Sequence, residues 1–236
     1  MPDQKVAIVI GGGSGIGAAC VREFAHSGYH VVAMSPSGSA ATLAKQLGGT
    51  GLAGSNRSVA DLQSVVDLAL STYGRVDTVM NGSGHAARGP ILELTDDDWR
   101  EGMELYLLNV IRMTRIITPH FLAAGGGTIV NISTARAFEP NDMFPVSVTF
   151  RAGMASFIKM YANEYASRGI RINNVLPGFV KEDPSTIPAE WTSDIPMGRA
   201  QSTAELARVI RFLASDESKF ITGQNIRVDG GATRSV

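Results

Sequence analysis

Cysteine is almost missing from this sequence. Cys20 is the only one in 236 residues, which excludes an intramolecular disulfide and fits a reducing compartment. An excess of charge of either sign is missing too. The chain has 21 Lys and Arg against 22 Asp and Glu, a net charge of −1, so nothing steers it toward nucleic acid or an anionic membrane. No apolar run approaches the ~20 residues that cross a bilayer. Met1 to Lys5 show no basic segment leading into a long apolar stretch, so no secretory leader is expected and the cytoplasm is the expected location. No internal repeat, linker or low-complexity tract interrupts the chain, and no metal site is expected.

With 44% hydrophobic and 18% charged residues, the composition is that of a globular protein with a substantial core. Residues 1–236 are expected to form a single domain. Val6 to Ile10, His30 to Met34, Thr78 to Met80, Thr128 to Ile132, Arg171 to Val175 and Asn225 to Val228 are short, branched and apolar, the pattern of buried strands. Amphipathic stretches such as Val59 to Tyr73 and Thr203 to Ala214 lie between them. This alternation predicts an α/β fold, a Rossmann-type doubly wound parallel sheet of about seven strands with helices on both faces. The irregular segment from Lys181 to Arg199, with Pro184, Pro188 and Pro196, is long for a loop and is expected to act as a substrate loop.

The first strand runs into Gly11-Gly12-Gly13-Ser14-Gly15-Ile16-Gly17, and a helix follows. Glycines let the backbone approach a pyrophosphate, which sits where helix N–H groups and the dipole favour an anion. Asn81-Gly82-Ser83-Gly84 ends the fourth strand, and Pro177-Gly178 ends the sixth. Open α/β sheets bind ligands at these carboxyl ends. Gly11, Ser14, Gly15, Ile16, Gly17, Ser35, Asn81, Gly84, Pro177 and Gly178 are therefore the candidate cofactor contacts.

These motifs resemble those of the short-chain dehydrogenase/reductase family along nearly the whole chain. Gly11 to Gly17 is similar to its TGxxxGIG, with Ile10 in the threonine place. Asn81 to Gly84 resembles its NNAG, and Gly169 to Gly178 its GIRVNxVxPG. The resemblance implies a nicotinamide cofactor, a small carbonyl or alcohol substrate and a homotetramer or homodimer. An acidic residue after the second strand marks an NAD enzyme. Here that place carries Ser35, followed by Pro36 and Ser37. The missing carboxylate slightly favours NADP over NAD, with Arg57 within possible reach of a 2′-phosphate.

The resemblance also implies four catalytic places, normally Asn, Ser, Tyr and Lys, and all four are substituted. The asparagine place is Tyr106, with Asn109 nearby. The serine place is Thr134, after Ser133, and the tyrosine and lysine places are Ser147 and Arg151. Thr134 and Ser147 stand thirteen residues apart, the family's usual separation. Arg151 keeps a cation but is no tunable proton group, and the serine hydroxyl is a far weaker acid than a phenol. Glu182 stands where the family has a threonine for the carboxamide. Tyr106 and His85 are the candidates to move a proton instead, with Arg136 and Glu139 beyond the Thr134 strand end. Each also has a plain reading, Tyr106 as a packed helix residue and His85 as a solvated one. Met154, Phe157, Ile158 and Tyr161 at helical spacing are core or subunit interface. Two functions follow: an NAD(P)-dependent oxidoreductase with an atypical site, or a dinucleotide-binding subunit without hydride chemistry.

Overall fold

The structure is a computed structural model and describes residues 4–235. The first residues of the segment read for a leader, and both ends of the expected 1–236 domain, lie outside the described residues. Strands β1 (Val6–Ile10), β2 (His30–Ser35), β3 (Thr50–Ala53), β4 (Thr78–Asn81), β5 (Gly127–Ile132), β6 (Ile170–Pro177) and β9 (Asn225–Val228) form one sheet; a separate short pair is β7 (Val180–Lys181) and β8 (Gln201–Ser202). The sheet order is β3-β2-β1-β4-β5-β6-β9, and every pairing in it is parallel.

Helices cover both faces because the strands are apolar on both. On one face α3 (Val59–Tyr73), α5 (Asn109–Ala124) and α6 (Pro145–Tyr165) bury Ile8, Ile129 and Ile172 beneath Val65, Met113 and Ile158. On the other, α1 (Gly15–His26), α2 (Ser39–Gln46) and α7 (Thr203–Ala214) cover Val9, Ala33 and Val130 with Phe24, Ala40 and Ile210. The order reverses between β1 and β4. Parallel strands whose connections leave in opposite directions part there and open a crevice at their carboxyl ends.

Four local features have physical causes. β3 carries no apolar run because it is the edge strand, and its Gly51 lies so close to the Ala33 carbonyl that a Cβ would stand 2.1 Å from that oxygen. The helical region after β4 begins with α4 (Asp96–Met103), fixed by the reciprocal capping box of Thr95 and Asp98, and passes through a π turn at Glu104–Leu108 before α5. α6 begins at Pro145, where proline's missing N–H costs nothing, so Ser147 and Arg151 stand about one turn apart on it. The segment from Lys181 to Arg199 holds 3₁₀ turns at Pro184–Thr186 and Ala189–Trp191 and is tied at its base by the β7–β8 pair.

Candidate active site

The glycine turn opens at the crevice. α1 starts at Gly15, and its N-cap Ser14 makes no side-chain bond to the helix amides, which leaves them for a ligand. Gly15 adopts φ +50° with nothing within 4 Å of where a Cβ would stand, so an open cradle lies at the start of the helix. Gly17 is needed for packing: a Cβ there would stand 2.0 Å from the Gly11 carbonyl oxygen. Ile16 is half-buried beside it. Gly11 in turn packs on Gly82 of the β4 turn, so the two loops flanking the crevice touch.

The adenosine end is lined by hydroxyls. Ser35 is buried, and its Oγ accepts from the Ala40 amide at 3.1 Å, so it anchors α2. Ser37 and Ser39 stand exposed at 2.9 Å from each other, and Ser39 donates to the Gly13 carbonyl at 3.2 Å. Arg57 is committed elsewhere, paired with Glu101 at 2.5 Å. The reach toward a 2′-phosphate expected of it is therefore not its position here.

Below the crevice, Asn81, Asn131, Asn174 and Asn225 occupy one register row across β4, β5, β6 and β9. Each amide donates to the next side-chain carbonyl, at 2.9, 3.0 and 2.8 Å in turn. The row ties together the strand ends that carry Gly84, Ser133 and Pro177. Gly178 then packs so closely on Asp229 that a Cβ would stand 2.9 Å from its Cα.

Three of the four places expected to be catalytic, Tyr106, Ser147 and Arg151, come together with Ser83. Arg151 is 7% exposed. Its Nη1 donates to the Ile132 carbonyl, its Nη2 to Ser83 Oγ at 3.0 Å and its Nε to Ser147 Oγ at 3.2 Å. Its guanidinium carbon lies 4.5 Å from the centre of the Tyr106 ring. Burial pushes Arg151 down to about 10, so it stays charged at neutral pH. Tyr106 sits in the π turn, buried, and its hydroxyl accepts from the Ala86 amide at 2.7 Å. It is packed, as its plain reading has it, and it also touches Arg151. Thr134 is half-buried, with Oγ1 accepting from the Arg136 amide at 3.3 Å.

His85 is exposed at this mouth, on a turn anchored at Ser83 to the guanidinium and at Ala86 to the phenol. Partial desolvation, then Arg88 and Arg151, hold its imidazole below the usual 6.5. Glu139 is not placed for proton work: Ser235 donates to its carboxylate and holds it down to about 2. Glu182 is exposed on the substrate loop. Beneath that loop a cavity of about 330 Å³ opens among Phe179, Ile195, Met197, Arg227, Asp229 and Gly230.

Sequence reasoning missed Ser83 and Arg88. Ser83 stands in the alanine place of the glycine motif, a detectable departure. Arg88 lies 4.6 Å from the Phe144 ring centre, and nothing in local sequence announces a contact across that distance in the chain.

A family model described as Enoyl-(Acyl carrier protein) reductase matches residues 11–233. The 3-oxoacyl-[acyl-carrier-protein] reductase of Thermotoga maritima is 34% identical, over 97% of this chain and 98% of that protein. The D-threitol dehydrogenase of Mycolicibacterium smegmatis is 32% identical, over 98% and 94%. The chain belongs to the short-chain dehydrogenase/reductase family. It is an oxidoreductase of that family, with NAD(P) as the implied cofactor, and the open cradle at Gly15 with its free helix amides fits such a dinucleotide. No helix among the described residues is long and apolar enough to cross a membrane.

Proposed function

We propose that this short-chain dehydrogenase/reductase transfers hydride between NAD(P) and a small carbonyl or alcohol compound, with NADP preferred, at a site whose proton relay departs from the family's. The nicotinamide, when bound, supplies the hydride. Gly11, Ser14, Gly15, Ile16 and Gly17 hold the pyrophosphate end, Ser35 shapes the adenosine end, and Asn81, Gly84, Pro177 and Gly178 border the rest. The preference for NADP rests on the neutral hydroxyl surface of Ser37 and Ser39, which offers no carboxylate to repel a 2′-phosphate.

The observation that carries the active-site reading is the Arg151 stack. It brings Tyr106, Ser147, Ser83 and the Ile132 carbonyl at the end of β5 around one fixed charge. That charge favours negative charge developing on a substrate oxygen. Thr134 orients that oxygen, and the Tyr106 hydroxyl steadies the turn that carries His85. His85 accepts the alcohol proton, because its depressed pKa leaves the imidazole neutral at pH 7.

The test is NADPH and NADH binding by fluorescence, followed by turnover on a panel of small ketones and aldehydes. NADPH is expected to bind more tightly than NADH, with cofactor oxidation on some member of the panel. Tight binding with no turnover would instead support the second reading, a dinucleotide-binding subunit. That reading draws on the same stack, since three donors of Arg151 are already engaged within the chain.

A further inference from the structure

Charge at the mouth of this site is strongly one-sided. Arg151 is buried, yet its partners are a carbonyl, two hydroxyls and a ring, all neutral. Buried charges are ordinarily paired with an opposite charge, because desolvating an ion without one is expensive. Neither Arg151 nor His85 forms an ion pair with a carboxylate among the described residues.

The rim repeats the pattern. Arg88 is exposed and rests over Phe144, the residue capping α6 three places before Ser147. His85 lies between Ser83 and Ala86, whose bonds to Arg151 and Tyr106 fix that turn against the buried guanidinium. The acids on the same two connections are Glu93, Glu139 and Asp142. None forms an ion pair with Arg88 or Arg151 among the described residues; Glu139 is bonded to Ser235. One residue past the Ile132 carbonyl, Ser133 Oγ is buried and has no hydrogen-bond partner. A cation at the floor and a second at the rim make a receptor for an anionic oxygen group.

We propose that the substrate carries a carboxylate or phosphate close to its reacting carbon, and that Arg151 and Arg88 receive that group at the carboxyl ends of β4 and β5. This deepens the oxidoreductase reading and rests on it for the word substrate. Arg151 supplies the desolvated contact, worth more than one in water. Arg88, exposed at the rim, gathers the anion from solution.

The test titrates the protein, with NADPH present, with oxalate and separately with inorganic phosphate by calorimetry. In parallel it compares kcat/KM for acetoacetate against its methyl ester and for dihydroxyacetone phosphate against dihydroxyacetone. At least one anion is expected to bind, with affinity falling about 10- to 100-fold in Arg151→Gln, the usual scale of one charged hydrogen-bonding partner, and by a smaller factor in Arg88→Gln. Binding of oxalate alone assigns a carboxylate, and of phosphate alone a phosphate. If Arg151→Gln fails to fold, the exposed Arg88→Gln carries the test. Arginine-dependent anion binding without hydride transfer would leave the receptor standing and remove the oxidoreductase reading. Turnover of the neutral compounds as fast as the charged ones, with both anions failing to bind or indifferent to the arginines, would leave the oxidoreductase and overturn the receptor.

Discussion

Ser147 and Arg151 divide labour in a way their neighbours dictate. Ser147 Oγ accepts from Arg151 Nε, while the Ile132 carbonyl and Ser83 hold the other side of the guanidinium. Removing the serine hydroxyl leaves Arg151 two anchors and the Tyr106 ring. Ser147→Ala is therefore expected to keep kcat within about threefold, against the 10²–10⁴-fold typical of a lost general acid. Steady-state rates that fall a hundredfold would make Ser147 a direct participant. Gly15 answers to a different constraint. Its left-handed φ costs a side chain about 1–2 kcal/mol, but no protein atom lies within 4 Å of the added Cβ. Gly15→Val should fold, melt roughly 2–8 °C lower, and lose at least about tenfold in NADPH affinity because its side chain fills the phosphate cradle. Calorimetry showing parental affinity would reduce the turn to a structural role.

At the scale of elements, the asparagine row is the clearest dependency. Asn131 and Asn174 are fully buried, and Asn131 serves a neighbour on each side. Asn131→Ala orphans the Asn81 amide and the Asn174 carbonyl oxygen at once, and each unsatisfied buried group costs about 1–3 kcal/mol. A loss of roughly 2–6 kcal/mol in urea unfolding is expected, with far-ultraviolet dichroism unchanged in the folded baseline. A loss below about 0.5 kcal/mol would mean that water replaces the row without penalty. The π turn at Glu104–Leu108 is a second dependency. It places Tyr106 under Arg151, and just beyond it Arg112 grips Glu104 and the Arg57 carbonyl. π turns of this kind are frequent at functional sites.

For the whole molecule, α6 leaves Met160 64% exposed and the turn before β9 leaves Phe220 103% exposed. That turn continues to Gly223, which packs on α6 at Ala162 and Lys159. Large apolar side chains left bare fit a subunit contact, and a two-fold axis would cover them with themselves. A homodimer or homotetramer is expected in sedimentation at micromolar concentration; a monomer would contradict it. Stability should also fall in mild acid. His85 binds a proton near 6.5 in the unfolded chain but only at lower pH when folded. As pH drops through 6.5 the unfolded state takes up the proton first, so the contribution is fully present above that value and is lost below it until the folded imidazole also titrates. Urea midpoints at about pH 7.5 and 5.5 should differ less for His85→Gln than for the parent.

The α/β class, the glycine turn and the strands themselves were legible in the residues. Buried parallel strands must be continuously apolar, and a phosphate cradle must be glycine, so both leave local marks such as Val6 to Ile10 and Gly11 to Gly17. Met154, Ile158 and Tyr161 marked the core by the same local logic, and they are buried. The family places at Tyr106, Thr134, Ser147 and Arg151 were countable as well. Only the tertiary structure decided what those residues meet. Arg57 is equally a free cation or half of an ion pair until Glu101 arrives beside it. Arg151 is equally a solvated helix residue or a buried charge until the ends of β4 and β5 close over it. Charge and hydrogen bonding act over a few ångströms of space and are indifferent to distance along the chain. For that reason the asparagine row, the His85 turn and the one-sided charge at the mouth of the site came into view only with the fold.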